Sequence, residues 1–242
     1  MAAKTMKSVL RRTRQAEPSS LPALHNGDRL KQPEFHRRYE AYPEDIRFEL
    51  IGGTVYMASP QREKHSDYDD ELGFILSLYR RGTPGVKALH GATAILDEES
   101  EPQPDLGLRI LPEYGGRSRR NEKGYVEGPP EYLAEIAHST VAIDMHFKKE
   151  DYQRAGVQEY MVICVEEQEI HWFDFKARRR VLPDAQGVYR SRIFPGLWID
   201  GPGLLACKSS RVVKVLKHGL ASPEHTAFVK RLQSRHSKRR SS

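Results

Sequence analysis

The sequence predicts a mixed α/β (α+β) domain in which a central β-sheet is flanked by helices, with extra helices at the C-terminus. Three observations support this fold class. Short apolar runs bounded by turn residues recur along the chain, apolar residues repeat at helical spacing in two stretches, and the pattern near the C-terminus is helical. Because 242 residues suffice for one core of ordinary size, we expect a single domain with terminal extensions.

The chain divides into three parts by composition. Residues 1–33 are rich in Ala, Lys, Arg, Ser and Pro, show no periodicity and are predicted to form a flexible basic arm. Residues 34–208 hold the predicted domain, and residues 209–242 form a helical extension that ends in a basic tail. The net charge of +6 and the isoelectric point of about 9.2 favour a polyanionic partner, although solvated tails explain the same charge.

Several classes of site and location are disfavoured. Cys164 and Cys207 stand alone without a CxxC spacing, so we expect neither a zinc site nor a disulfide framework. The histidines form no HxH or HExxH spacing, and we expect no small organic cofactor. No window is long and apolar enough to span a membrane, and the basic N-terminus lacks the apolar region of a secretory signal. These features predict a cytoplasmic protein without a membrane partner.

The first half of the domain is predicted to begin with a hairpin. Residues 47–51 and 54–58 have the pattern of strands, and Gly52-Gly53 permits the positive φ angles of a two-residue turn. Glu49 lies inside the first of these strands. The elements that follow are a helix over 65–81, short strands at 86–89 and 93–96, and a strand over 104–110 that Pro104-Asp105 enters.

A loop is predicted over residues 112–130. It carries two glycine-containing turns and four basic residues, Arg117, Arg119, Arg120 and Lys123. A long insertion of this kind is typically either functional or mobile. The four cations are candidate nucleic-acid contacts, and a merely solvated loop is the alternative.

The second half is predicted to be rich in strands before it ends in helices. Strands are predicted over 132–137, 158–165, 169–175, 188–189 and 192–199, with a helix after Asp144, a short helix around 212–216 and another that Pro223 opens. Lys238-Arg239-Arg240 is predicted to be a basic tail.

Three residues of this region carry the chemistry that we consider. Asp105 stands at a strand entrance, where an aspartate is often only a turn residue. Glu135 lies within an apolar strand, where a carboxylate requires a cation as its partner, either a basic side chain or a metal. Lys148 lies in a packing stripe with Met145, Tyr152 and Ala155. An ordinary surface ion pair between Asp144 and Lys148, four residues apart, is the alternative for this lysine.

Two carboxylates and a lysine form the minimum set for a metal-dependent phosphodiesterase. A pair of carboxylates suits Mg²⁺, a hard cation that binds few protein oxygens and keeps waters. In this interpretation Lys148 orients or helps to deprotonate the attacking water, and Glu49 is a candidate third acid. We expect the carboxylates of Asp105 and Glu135 to lie on one side of the sheet, within about 5 Å of each other.

At these residues the sequence resembles the Uma2 family, within the PD-(D/E)xK nuclease superfamily. The resemblance covers roughly residues 40–205 and rests on the following residues: Arg47-Phe48-Glu49-Leu50-Ile51-Gly52-Gly53, His65, Pro104-Asp105, Glu135 with Ser139-Thr140, Asp144-x3-Lys148-x3-Tyr152-x2-Ala155-Gly156-Val157-x-Glu159-Tyr160, and Phe194-Pro195-Gly196-Leu197-Trp198. It implies a restriction-endonuclease-like core, DNA as substrate, Mg²⁺ or Mn²⁺ as cofactor, and Asp105 and Glu135 as metal ligands.

The same resemblance implies Lys148 as the third catalytic residue, with Glu49, His65 and Asp144 in support. In the superfamily the lysine usually follows the second acid by two residues, where this chain has Ala137, so Lys148 comes from the next helix instead. The first hypothesis is therefore a Mg²⁺-dependent DNA endonuclease acting as a homodimer, since duplex cleavage requires two sites. The alternatives are a catalytically silent nuclease fold that binds DNA or protein, and a subunit of a mobile-element or defence system that is active only with partners.

Overall fold

A computed structural model describes residues 21–43, 45–58 and 63–240 of the chain. Its α-helices are α1 (Gln32–Tyr39), α2 (Glu63–Gly82), α3 (Lys149–Ala155), α4 (Gly201–Leu205), α5 (Ser209–Leu220) and α6 (Pro223–Arg240). Its strands are β1 (Phe48–Ile51), β2 (Thr54–Met57), β3 (Val86–His90), β4 (Ala94–Ile95), β5 (Leu106–Ile110), β6 (Arg119–Arg120), β7 (Val126–Glu127), β8 (Tyr132–Ala137), β9 (Glu159–Cys164), β10 (Glu169–Asp174), β11 (Arg179–Val181), β12 (Val188–Arg190) and β13 (Trp198–Asp200). A 3₁₀ helix covers Pro112–Tyr114, and a π-helix, Ile143–Lys148, continues directly into α3.

A mixed sheet forms the centre of the molecule. Among the described residues it has six strands in the order β11-β10-β9-β8-β5-β3. Only β8 and β9 are parallel, and the chain connects them through the π-helix and α3, as a parallel pair requires a crossover. The predicted fold class, a mixed sheet flanked by helices, is confirmed.

The two faces of the sheet carry different layers. Tyr132, Ala134 and Ile136 of β8 join an apolar cluster with residues of α2, α5 and α6. Leu133 and Ala137 face the other way and pack with Tyr152 of α3. Because side chains alternate along a strand, Glu135 lies on this second face, which we call the α3 face.

The hairpin β1–β2 lies beside this face and has the predicted turn. Gly52 and Gly53 have φ angles of 55° and 74°, as a turn with two left-handed residues requires. The backbones of Leu50 and Glu101 exchange hydrogen bonds, with N–O distances of 3.1 and 2.8 Å. These contacts connect the hairpin to the chain segment that leads to Asp105.

The structure differs from the sequence predictions at both ends of the chain. Of the predicted flexible arm, residues 1–20 lie outside the described residues, whereas Leu24 is buried against Phe35 and Phe48, so the packed structure begins before residue 33. At the other end, α6 continues through the predicted basic tail to Arg240. Phe228 and Leu232 of α6 are buried in the main core, so the C-terminal helices are a layer of the domain.

Two internal predictions are also corrected. The predicted loop over 112–130 contains the 3₁₀ helix and two short strands, β6 and β7, which form a small sheet with β4 in the order β4-β7-β6. The predicted strand over 192–199 is reduced to β13, because a turn around Pro195-Gly196 precedes it. Within the described residues, no helix has the length and apolar character to cross a membrane.

Candidate active site

A cavity of about 140 Å³ opens on the α3 face. It lies between the hairpin β1–β2, the end of β8 and the π-helix. Its charged and ionisable lining residues are Arg47, Glu49, Tyr56, His65, Asp105, Glu135, His138, Asp144 and Lys148. The cavity therefore contains every predicted catalytic and supporting residue.

Lys148 lies at the centre of the acidic side chains. Its Nζ is 3.0 Å from Glu49 Oε2, 3.1 Å from Glu135 Oε1 and 3.6 Å from Asp144 Oδ1. Only 7% of the lysine side chain is exposed, so the pair with Asp144 is a buried one and not the surface ion pair considered from the sequence. Burial alone would lower the pKa of Lys148, but attraction to the carboxylates raises it well above its ordinary value. The side chain is thus held as an ammonium.

The π-helix places Asp144 and Lys148 in this cluster. The wider π turn replaces the regular α-helix that the sequence pattern predicted, and such turns are frequent at functional sites. Thr140 Oγ1 donates a 2.5 Å hydrogen bond to Asp144 Oδ2, and the Tyr160 hydroxyl donates to the Asp144 carbonyl at 3.0 Å. The first contact is local, and the second holds the turn against β9. Burial raises the pKa of Asp144 above its ordinary value, with Lys148 and Thr140 opposing the shift.

Glu135 is almost fully buried at the cavity. Its Oε1 accepts from the Tyr152 hydroxyl at 2.6 Å and from Lys148, and its Oε2 lies 3.4 Å from the backbone nitrogen of Asp105. Burial raises the pKa of Glu135 well above its ordinary value, Lys148 counteracts the shift, and the neighbouring acids add to it. Burial and the neighbouring acids thus favour the protonated form of Glu135, and the Lys148 ammonium opposes them.

Asp105 has a different environment beside Glu135. Its Oδ2 accepts a 2.8 Å hydrogen bond from the backbone of Ile136 and lies 3.3 Å from His65 Nε2. Burial would raise the pKa of Asp105, but His65, Lys148 and the Ile136 amide together lower it. The pKa of His65 is raised, because the hydrogen bond and charge of Asp105 outweigh burial. Asp105 is thus held as a carboxylate at neutral pH.

The strand register explains why Asp105 and Glu135 meet. Leu106 of β5 pairs with Ala134 of β8 in an antiparallel ladder. One residue further on, Asp105 and Glu135 come opposite each other, and opposite residues share a face. Both carboxylates accordingly contact the same cavity, as expected from the sequence.

The donor set fits a hard divalent cation. Four carboxylates, those of Glu49, Asp105, Glu135 and Asp144, face two cations, Lys148 and Arg47, and two histidines, His65 and His138, so the carboxylates outnumber the permanently charged cations by two. Oxygen ligands of this kind suit Mg²⁺ or Mn²⁺. Within the described residues, no three His, Cys, Asp or Glu side chains already converge as a metal site, because the Lys148 ammonium lies between the acids.

The four cations of the 112–130 segment lie away from this cavity, and three of them have partners within the chain. Arg119 binds Glu127 through two nitrogens, Lys123 binds Glu40 at 2.8 Å, and Arg117 donates to the carbonyl of Gly156. Arg120 is exposed on β6. Their assignment to DNA binding stays a prediction.

Two residues of the site have roles that the sequence reasoning did not assign. Tyr152 was placed in the packing stripe, but its hydroxyl donates to Glu135. Gln103 donates its backbone N–H to Glu49 Oε1 at 2.7 Å and so fixes the third acid. The spacing of four residues between Lys148 and Tyr152 was a usable signal for the role of Tyr152. The role of Gln103 depends on a backbone contact across the fold, for which the sequence gives no signal.

The comparisons with known proteins identify a family and agree with the fold. Residues 33–202 match the model of the family Uma2, described as "Putative restriction endonuclease". A crystal structure of "a putative nuclease belonging to DUF820" from Anabaena variabilis superimposes with a TM-score of 0.55 at 15% identity, over 71% of this chain and 97% of that chain. None of the curated proteins matches the sequence. Because the family model covers most of the chain, including the whole cavity, this protein belongs to the Uma2 family.

Proposed function

We propose that this protein is a Mg²⁺-dependent endonuclease that hydrolyses phosphodiester bonds of DNA. The observation that carries the proposal is the cavity in which Asp105 and Glu135 lie side by side and Lys148 is buried against Glu135. An ammonium and several carboxylates at one opening constitute the residue types that phosphodiester hydrolysis requires. The Uma2 family, to which the chain belongs, is described as "Putative restriction endonuclease", and this description supports the same reaction class.

Asp105 and Glu135 would hold Mg²⁺, or Mn²⁺ in its place, and Glu49 is the candidate third ligand. When bound, the ion would polarise the scissile phosphodiester and stabilise the leaving oxygen. His65 and the Ile136 amide hold Asp105 in the ionised form that a ligand needs. Tyr152 fixes the orientation of Glu135 from the opposite side.

Lys148 would act as a charge and not as a base. Its raised pKa keeps the amine protonated at neutral pH, and an ammonium cannot accept a proton from water. The sequence predicted that Lys148 orients the attacking water or helps to deprotonate it. A protonated amine favours the first of these roles, together with charge stabilisation. The ammonium would stabilise the negative charge that develops on the phosphate in the transition state.

We further propose that the active form is a homodimer. The two strands of a duplex run in opposite directions, so two copies related by a twofold axis would present one cavity to each strand. Sedimentation of the protein with and without a short duplex tests this arrangement, and a monomer in both conditions would exclude it.

A catalytically silent nuclease fold is the second candidate function. The observation in its favour is that Lys148 already satisfies three carboxylates, so the cluster is held together without a metal ion. In that case the fold would bind DNA or protein without turnover.

A plasmid-nicking assay separates the two candidates. Wild type and Glu135→Gln are compared in Mg²⁺, in Mn²⁺ and in EDTA. We expect nicking by wild type in either metal, none in EDTA and none by the variant. Equal nicking by both proteins would point to another site or a contaminant, and no nicking by wild type would favour the silent fold.

Calorimetric titration with Mg²⁺ gives a readout that does not depend on turnover. We expect saturable binding to wild type and weaker binding to Asp105→Asn and Glu135→Gln, since each variant removes one anionic ligand. Asp184→Asn is the matched control, because this aspartate lies outside the cavity and pairs with Arg190 at 2.6 Å.

A further inference from the structure

The edge of the α3 face beyond helix α3 carries a group of cations near the β10–β11 turn. We define this basic edge as Lys149, Lys176, Arg178 and Arg180. We propose that it binds the phosphate backbone of the duplex whose scissile bond enters the cavity. This inference rests on the proposed function for its substrate, and it adds the surface that positions that substrate.

The basic edge and the cavity lie on the same face of the sheet. The strand partners form one row across the sheet. Leu133 of β8 lies opposite Tyr160 of β9, which lies opposite Phe173 of β10, and Phe173 lies opposite Arg180 of β11. Residues opposite each other lie on the same face of the sheet. Glu135 follows Leu133 by two residues on β8, so it lies on that face as well. Three strand spacings separate β8 from β11, which corresponds to about 14 Å. At a rise of 3.4 Å per base pair, this distance is about four base pairs of a duplex.

The cations of the basic edge have no acidic partners. Among the described residues, no carboxylate lies within ion-pair distance of Lys149, Lys176, Arg178 or Arg180, and the residues from Lys176 to Arg180 are exposed. The nearby Asp174 is buried, accepts from the Ala177 backbone at 2.8 Å and pairs with Arg192 at 3.0 Å. By contrast, Arg119 and Lys123 are neutralised by glutamates, so these two charges are less available to phosphate than those of the basic edge.

Aromatic rings form a floor beneath these charges. Lys149 Nζ lies 4.9 Å from the centre of the Phe173 ring, and Phe175 stacks beside Phe173 with centroids 6.3 Å apart. Two adjoining concavities share Gln153, Phe175 and Arg178 as lining residues. An apolar floor supports the stems of long basic side chains and leaves their charged ends in solvent. The surface is therefore a shallow basic groove suited to a polyanion.

Arg178 has a backbone conformation that favours glycine. Its φ of 52° lies in the left-handed region, which disfavours residues that have a side chain. Gln168 has a similar φ, but its side chain is fixed by hydrogen bonds to Tyr68 and the Val165 carbonyl. The side chain of Arg178 has no comparable contact within the described residues, so its charge is the remaining reason for an arginine at this turn.

The opposite face provides a matched control. Helices α5 and α6 carry exposed lysines, among them Lys214, Lys217 and Lys230, but their apolar sides pack on the face away from the cavity. A duplex in contact with the cavity would not reach them. Removing three of these charges changes the net charge as much as removing three from the basic edge.

Fluorescence anisotropy of a labelled duplex of about 30 base pairs tests the proposal at several salt concentrations in EDTA, which prevents metal-dependent cleavage. We expect Lys176→Ala/Arg178→Gly/Arg180→Ala to bind at least about tenfold more weakly and to reduce the salt slope by about 2 to 3. Lys214→Ala/Lys217→Ala/Lys230→Ala should stay within about twofold of wild type. Arg178→Gly alone should weaken binding while leaving thermal stability equal or higher, since glycine relieves the left-handed backbone.

The outcomes distinguish this inference from the proposed function. If both triple variants weaken binding equally, or the basic-edge variant does not weaken it, the basic edge is not the DNA surface, even where wild type nicks plasmid. If the basic-edge variant alone loses binding and wild type never nicks, the inference stands and the endonuclease proposal fails. Wild type that binds no duplex overturns the inference directly.

Discussion

Glu135 and Glu159 lie on adjacent parallel strands, and both carboxylates are buried, with 3% and 0% of their surfaces exposed. Burial raises the pKa of both, that of Glu159 to about 7. Their partners differ. Glu135 is met by the Lys148 ammonium and the Tyr152 hydroxyl at an open cavity, whereas Glu159 accepts from Ser191 at 2.6 Å and from the backbones of Arg192 and Ile193 at 2.8 and 3.2 Å.

This difference shows that a buried carboxylate is not in itself a functional site. The amides around Glu159 are fixed in the turn that precedes β13, and no basic side chain contacts this glutamate in the described part of the chain. Around Glu135 the counter-charge is a lysine side chain with rotatable bonds, and three further acids share it. The first arrangement anchors a turn, and the second is the one that we propose to admit a cation.

The largest expected effect is a difference in nicking activity between variants of the two glutamates. Glu135→Gln should lower the rate of plasmid nicking by at least about 10³-fold, because loss of a metal ligand removes several kcal/mol of transition-state stabilisation. Glu159→Gln should nick at a rate within about threefold of wild type at a temperature where it remains folded, since it contacts no residue of the cavity. Initial rates under single-turnover conditions measure both. Comparable losses in the two variants would remove the distinction between them.

The second prediction concerns the stability of the cluster. Lys148→Met should lower the free energy of unfolding by about 3–5 kcal/mol at pH 8, because it leaves buried carboxylates without their counter-charge. The carboxyl groups of Glu135 and Asp144 already have raised pKa values. Without the Lys148 ammonium they take up protons at still higher pH. The deficit relative to wild type should therefore shrink as the pH falls to 5, as urea unfolding at both pH values would reveal.

Lys149→Met is the matched control for that experiment. Lys149 is the next residue of the helix but lies half-buried over Phe173, with no carboxylate of the cavity as partner. Its replacement should change stability by less than about 1 kcal/mol at both pH values. A pH-independent deficit in Lys148→Met would mean that lost packing, and not uncompensated charge, is the cause.

A third prediction uses the pH dependence of Glu159. Its folded-state pKa of about 7 exceeds the ordinary value of 4.5, so the folded protein holds this proton more tightly than the unfolded chain does. The stabilisation is complete below about pH 4.5 and is lost as the pH rises through about 7, by on the order of 3 kcal/mol. Relative to Glu159→Gln, wild type should lose stability across this range in urea unfolding. A constant difference between the two proteins would show that Glu159 is ionised throughout.

Much of the fold and the members of the candidate site could be predicted from local patterns. The Gly52-Gly53 turn follows from backbone sterics, and Lys148 in an apolar stripe indicated a buried cation, because both signals lie within a few residues of sequence. The π turn could not be predicted, since the local pattern is equally compatible with an α-helix and does not indicate the hydrogen bond from Tyr160 of β9 to the Asp144 carbonyl.

Contacts between residues that are distant in sequence could not be predicted from local patterns either. Lys123 is a candidate DNA contact by sequence, and nothing near it in sequence indicates that Glu40, 83 residues away, lies beside it. Glu159 was noted only within the Uma2 motif, because nothing near it in sequence indicates that Ser191 and its following amides will surround it. The charges of the basic edge were visible in sequence, but their position on the α3 face depends on strand register.

The smallest expected effects come from removing one hydroxyl donor from each glutamate. Tyr152→Phe deletes the 2.6 Å hydrogen bond to Glu135, and Ser191→Ala deletes the 2.6 Å hydrogen bond to Glu159. Each should cost about 1–3 kcal/mol in unfolding free energy, since each leaves a buried acceptor with one donor fewer, and Ser191→Ala also removes the acceptor of the Phe194 N–H. Their effects on nicking should differ. Tyr152→Phe should slow it by up to about tenfold, because Lys148 still holds the same oxygen, whereas Ser191→Ala should leave it unchanged. Measured together, equal stabilities with unequal rates would assign catalysis to one acid and folding to the other, and equal rates would contradict that assignment.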